Sequence, residues 1–394
     1  MYHYSEDISW PFTVDGNFSF YELMEPRTAM ALRMSGKIYL QPAPAAQEHD
    51  ITVTASYATS EFWRVVTPLH YMREKDGIQL QFPNVVKTIT EEVNDDYGCM
   101  DVVVAIRIKE GVTIDSLDIA TANLDVVADE GIFHTRLPTR FQPVQIANLT
   151  SIQTVRGSVN LEYWNSRNTV IETTSGSIMG LYALRDLLSL KSSSGAVSVS
   201  VDPKVADKEH PAPAEFSAVT GSGSVRVAFP MEGNIPDREY RTRVDTHSGT
   251  IMGDYILGLM ANFRSNSGSL ILHVLPYDWD TYASGFQTET QSGSTTVQVL
   301  SSHKGSDKPL NRIRALHKSN AGSGSVTLKY PNQWEGIVDA ESKSGSVKLS
   351  GDGLVVDVAS DLPGSGKIVV GHKGSGGSRV DVRSGSGSVL FKVE

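Results

Sequence analysis

The chain has 394 residues, of which 40% are hydrophobic and 20% charged, with a net charge of −10. That is enough apolar material for a core, and too acidic a balance for the basic footprint of a nucleic-acid binder. A single cysteine, Cys99, excludes an intrachain disulfide framework and a cysteine-based zinc cluster, and the length calls for two domains or one repetitive one.

In chain order, Met1 to Asp7 carries neither the basic region nor the apolar run of a signal peptide. The longest purely apolar stretch, Val102 to Ile106, falls far short of the ~20 residues a membrane helix needs, so no span is expected. If Met1 is the natural start, the compartment is cytoplasmic. If the chain is the ectodomain of an anchored protein, it is extracellular or at the cell surface, and Asn17 and Asn148, each in an Asn-x-Ser/Thr sequon, become N-glycosylation sites. Ile51 to Ala55 and Gly77 to Phe82 alternate polar and apolar as half-buried strands do, and Asp101 to Ile108 is a longer apolar strand. Cys99, just before that run, reads as a small buried residue. Residues 1–110 are taken as an antiparallel β cap, because a bare solenoid end would expose core and unpaired backbone.

A short motif then recurs: Ser or a similar residue, Gly, a small residue, and an aliphatic that opens an alternating strand. Its glycines include Gly157, Gly176, Gly195, Gly223, Gly249, Gly268, Gly293, Gly324, Gly345, Gly366 and Gly387, at intervals of 19, 19, 28, 26, 19, 25, 31, 21, 21 and 21 residues. Self-similarity of this kind marks a repeat protein. A longer echo repeats at an offset of 73, with Ile178-Met179-Gly180 matching Ile251-Met252-Gly253 and Pro203 matching Pro276. Stretches such as Val197-Ser198-Val199-Ser200-Val201 keep a period of two. A winding of about 20 residues with a glycine corner buries its apolar face only on the windings above and below. The fold class expected is therefore all-β: a single-stranded parallel β-helix, or β-solenoid, over residues 111–394, preceded by the cap. The structural corners are Gly176, Gly195, Gly223, Gly249, Gly268, Gly324, Gly345 and Gly387, read as glycines that tolerate positive φ. Longer intervals hold inserted loops, at Ala206 to Glu215 and Ser301 to Arg312. An up-and-down antiparallel stack is the alternative, since hairpins also place glycine between alternating strands.

The repeated Ser-Gly-Ser-Val with aliphatic alternation, after a strand-rich start containing Ile51-Thr52-Val53-Thr54, resembles the putative adhesin family of unknown function (the DUF4097 type). Ser265-Asn266-Ser267-Gly268-Ser269-Leu270 and Tyr330-Pro331-Asn332-Gln333-Trp334-Glu335-Gly336 are similar to its fungal branch. The resemblance covers roughly residues 36–394. It implies a β-helix and, through the family name, a cell-surface role; it supplies no catalytic residues.

Catalytic motifs are missing. There is no Gly-x-Ser-x-Gly elbow or His-Glu-x-x-His, and Gly366-Lys367 lacks the upstream glycine of a phosphate loop. Asp278-Trp279-Asp280 begins like a calcium loop but continues Thr281-Tyr282 without its glycine. Outward strand positions such as Glu172, Arg226 and Lys348 are mostly Ser, Thr and single charges, with no acid recurring in register. No catalytic residue, metal or cofactor is expected. Trp164, Trp279 and Trp334 each follow a glycine marker by 7 to 11 residues. They would form an aromatic strip for stacking glycans if they share one side; otherwise each plugs a corner or covers a loop. The function expected is a non-enzymatic, elongated, surface-exposed adhesive module, whose hydroxyl-rich face makes weak multivalent contacts with cell-wall glycans or surface proteins. The alternatives are a carbohydrate-active β-helix enzyme, separated by reducing-sugar release, and a self-associating scaffold.

Overall fold

The structure is a computed structural model that describes residues 2–4, 8–23, 32–60, 63–65, 69–82, 85–87, 98–133, 143–277, 283–302, 309–320, 324–362 and 366–394. It is all-β, and the chain divides into two compact units, Met1–Ala183 and Leu184–Glu394. In each unit two mostly parallel sheets face one another across an apolar core. The windings pair in parallel, so the antiparallel stack does not occur there. Each winding gives two strands, one to each sheet, rather than the one strand anticipated. The first ends before the serine-glycine corner and the second starts just after it, as in Tyr240–Thr246 and Ile251–Leu257.

In the first unit, Asn17–Glu22 and Leu32–Pro42 already form a winding. The first of these strands pairs in parallel with Thr113–Thr121, the second with Asp125–Ala128. Gly77–Gln81 and Gly98–Ile108 add to the other flank of that winding, away from Thr113–Thr121 and Asp125–Ala128, again in parallel. Antiparallel pairing is confined to the periphery of this region: Ile51–Ser60 on Gly98–Ile108, Tyr2–Tyr4 and Ile8–Phe12 on Ile51–Ser60, His70–Glu74 on Gly77–Gln81, and Trp63–Val65 on Val85–Lys87. Cys99 lies on Gly98–Ile108, and its side chain falls outside the described ones.

In the second unit the residue two places after the corner glycine stays in one column, aliphatic except at Thr295: Val225, Ile251, Leu270, Thr295 and Val326 are successive register partners. Strict alternation fills the core from both sheets, for instance with Tyr255 and Phe263 at 4.6 Å between ring centroids and Phe216 and Phe229 at 5.4 Å. The inserted loop at Ala206 to Glu215 is pinned by the buried Arg238. Its guanidinium donates to the Lys204 carbonyl at 2.9 Å and to the Ala212 carbonyl, and pairs with Asp186 at 3.3 Å.

The last windings depart from sequence order. Ser378–Ser384 and Val389–Val393 slot between the winding of Ile313–Ser319 and Val326–Tyr330 and that of Gly336–Ser342 and Val347–Gly351. Gly366 is not a corner at all. It opens Gly366–Lys373, which pairs antiparallel with Gly336–Ser342 on one side and with Leu354–Leu362 on the other. One apparent repeat in the 21-residue series is thus half of a hairpin.

Candidate functional site: the serine corner

The corner is built by two columns, one buried and one wet. Three residues before most corner glycines stands a buried Thr or Ser: Thr154, Thr173, Ser192, Thr220, Thr246, Ser265, Thr290, Ser342 and Ser384. Its hydroxyl accepts the glycine N–H and donates to a glycine carbonyl. Ser265 Oγ accepts from Gly268 N at 2.8 Å and donates to Gly249 O at 3.0 Å in the neighbouring winding. Ser342 repeats this with Gly345 N and Gly387 O at 2.8 and 2.9 Å. These hydroxyls satisfy backbone groups that the turn would otherwise bury unpaired. The signal Ser/Thr-x-x-Gly was present in the sequence, but the serine next to each glycine masked it.

None of the eight corner glycines has the positive φ expected of it; at seven of them, Gly195 apart, an added Cβ would meet a glycine carbonyl of another winding. A Cβ on Gly249 would overlap the Gly223 carbonyl oxygen, one on Gly268 the Gly249 oxygen, and one on Gly387 the Gly324 oxygen. Gly176 meets Gly157 in the same way in the first unit. Positive φ is found instead at the echoed pair Gly180 and Gly253 (129° and 139°), where a Cβ would strike the carbonyls of Leu161 and Val227.

Outside the glycine column, Ser194, Ser222, Ser248, Ser267, Ser292, Ser344 and Ser386 are exposed. Backbone bonds hold successive members in register: Ser248 N donates to Gly221 O and Ser267 N to His247 O, both at 3.0 Å. Parallel pairing spaces such a column at about 4.8 Å. The adjoining sheet face is charged rather than hydroxyl-rich, which corrects the expectation that no acid recurs in register. Asp245, Arg264, Glu289, Lys318, Arg383 and Glu341 are consecutive partners across the second unit. Arg383 bonds Asp339 at 2.9 Å and holds its carboxyl below the usual range.

The tryptophans do not form a strip. Trp164 and Trp334 are both fully buried, so neither offers a ring face to a sugar, and Trp279 lies outside the described residues. Trp164 donates its indole N–H to Thr150 Oγ1 at 2.9 Å, and Trp334 packs on Phe391 at 5.2 Å between centroids. Asn17 and Asn148 are both exposed; Asn148 stands where the register slips between Ile146 and Leu149 and accepts from Asn168 Nδ2 at 3.3 Å. His317 is buried, with Nδ1 2.8 Å from Thr288 Oγ1 and Nε2 3.3 Å from the Tyr330 hydroxyl. Burial pulls it down to about 3, so it is neutral. Among the described residues no cluster of three or more His, Cys, Asp or Glu could hold a metal ion, and no helix is long and apolar enough to cross a membrane.

No family model and no curated protein matches the chain. Among solved structures, that of a putative cell adhesion protein from Clostridium sporogenes aligns over 99% of both chains, at 10% identity and a TM-score of 0.15. An overlap of that quality carries no argument about this chain.

Proposed function

We propose that the chain is a non-enzymatic adhesive module of the cell surface or extracellular space, and that it engages glycans or surface proteins through the serine corner of the second unit. One observation carries this reading: a column of exposed serines fixed in register by the glycine stack beneath it. A hydroxyl both donates and accepts, so a regular row offers many weak, similar contacts to a repetitive partner, and affinity comes from their number. The polar, ion-paired sheet face beside the corner keeps the surroundings wet.

The test is a glycan array, with immobilised cell-wall polysaccharide beside it, probed by the wild-type chain and by a variant carrying Ser222→Ala, Ser248→Ala, Ser267→Ala and Ser292→Ala. Binding by the wild type that falls at least tenfold in the variant, at unchanged melting temperature, is the expected result. Equal binding by both removes the corner from the reading. Release of reducing ends would replace it with a carbohydrate-active enzyme.

A further inference from the structure

Two of the described strands have one edge without a strand partner and carry exposed apolar side chains. In the second unit, Leu354–Leu362 pairs with Gly366–Lys373 and, among the described residues, with nothing on its other side. Val355, Val356 and Val358 are 52%, 48% and 50% exposed. Side chains of neighbouring strand residues point to opposite faces, so exposure of both Val355 and Val356 means that neither face is covered. In the first unit, His70–Glu74 pairs only with Gly77–Gln81 among the described residues, and all five of its residues are exposed, Tyr71 at 51% and Met72 at 56%, although Tyr71 rests on Trp10 at 5.0 Å between centroids and Arg73 donates to the Pro11 carbonyl over the Phe12 ring. An apolar edge strand of this kind is a template for strand addition, which proteins ordinarily blunt with lysines, prolines or a covering loop. Neither strand contains a lysine or a proline.

We propose that these two strands are partners in different copies of the chain: Leu354–Leu362 of one molecule adds to His70–Glu74 of the next. Charge selects this pairing over the symmetric one. Leu354–Leu362 carries two carboxylates, Asp357 and Asp361, and no cation, so two copies of it side by side would bring four acids together. His70–Glu74 sets one cation, Arg73, against one acid, Glu74, so pairing it with Leu354–Leu362 adds no net negative charge. Length agrees as well. An irregularity at Asp357 breaks the register of Leu354–Leu362 between Val356 and Val358, leaving the five residues Val358–Leu362 as a regular stretch, against the five of His70–Glu74. Because the two surfaces differ, each molecule brings one edge of each kind to the contact. It stands independently of the adhesive reading, since it uses neither serines nor glycans.

Sedimentation velocity over a range of concentrations tests it, with two blocked variants. Val358→Lys places a charge on one edge and Met72→Lys on the other; Ser360→Lys replaces the first if Val358→Lys melts early. The wild type is expected to grow to at least twice the monomer mass as concentration rises, and each variant to remain monomeric alone. An equimolar mixture of the two variants should form a dimer and stop there, because each supplies the edge that the other lacks. A wild type that stays monomeric overturns the proposal. So does a Met72→Lys protein that still self-associates while Val358→Lys does not, which would assign the contact to two copies of Leu354–Leu362, and so does a mixture that forms nothing.

Discussion

The windings between Leu187 and Tyr330 stack in the order in which they are written, whereas the last two, between Gly336 and Val393, do not. Both stretches carry the same motif. In the first, each corner glycine rests on the one preceding it in the sequence, Gly249 on Gly223 and Gly268 on Gly249. In the second, Gly387 rests on Gly324 and Gly345 on Gly387. A repeat therefore specifies that windings stack, but not which neighbour each one takes. The hairpin of Leu354–Leu362 and Gly366–Lys373 occupies one flank of Gly336–Ser342, so the returning chain fills the place between two windings already written.

Glycine substitutions break this comparison most strongly. Gly268→Val sits between two windings and drives side-chain atoms into the Gly249 carbonyl, so a loss above about 4 kcal/mol is expected, enough to abolish cooperative folding. Gly345→Val strikes the Gly387 carbonyl, but its winding has a corner neighbour on one side only and can fray. Chemical denaturation should show a smaller loss for it and keep the Leu187–Tyr330 windings folded. Equal losses would mean that the reordered windings are as tightly coupled as the sequential ones.

Acid sharpens the contrast next. His317 titrates at about 3 in the folded chain against 6.5 when unfolded, so between those values the unfolded state holds the extra proton. Stability is full above pH 6.5 and falls as pH drops toward 3, by up to about 1.4 kcal/mol per pH unit. His317 lies on Ile313–Ser319, the strand against which the returning Ser378–Ser384 docks. Hydrogen exchange at pH 5 should therefore show the reordered windings opening before those around Val225. In His317→Gln the part of the pH dependence due to this residue should vanish, and an unchanged slope would place the titration elsewhere.

Smaller effects separate the two corner columns. Ser265→Ala leaves Gly268 N–H and Gly249 O without their buried partner and should cost about 1–3 kcal/mol. Ser267→Ala, two residues away and exposed, should change stability by no more than about 0.5 kcal/mol, so that any loss of ligand binding reads directly on contact. Paired thermal melts decide between them; similar losses would mean that both columns are structural.

The sequence alone determined the β class and the recurrence of a glycine corner, because alternation with period two and a recurrent glycine depend on local chemistry; parallel pairing over the antiparallel alternative, and close approach over positive φ as the reason for the glycines, came from the structure. The resemblance to an adhesin family added the same fold and no site residues. The serine corner was half legible. Its exposed residues stand in the motif, but the buried hydroxyl three positions earlier became visible only through the bonds it makes to the next winding. Only the tertiary structure put Trp164 and Trp334 inside, moved the last winding between two earlier ones, turned the Gly366 marker into a hairpin strand and left Leu354–Leu362 bare. Those outcomes depend on which surfaces meet between segments far apart in the chain, and identical repeats leave that choice open until packing makes it.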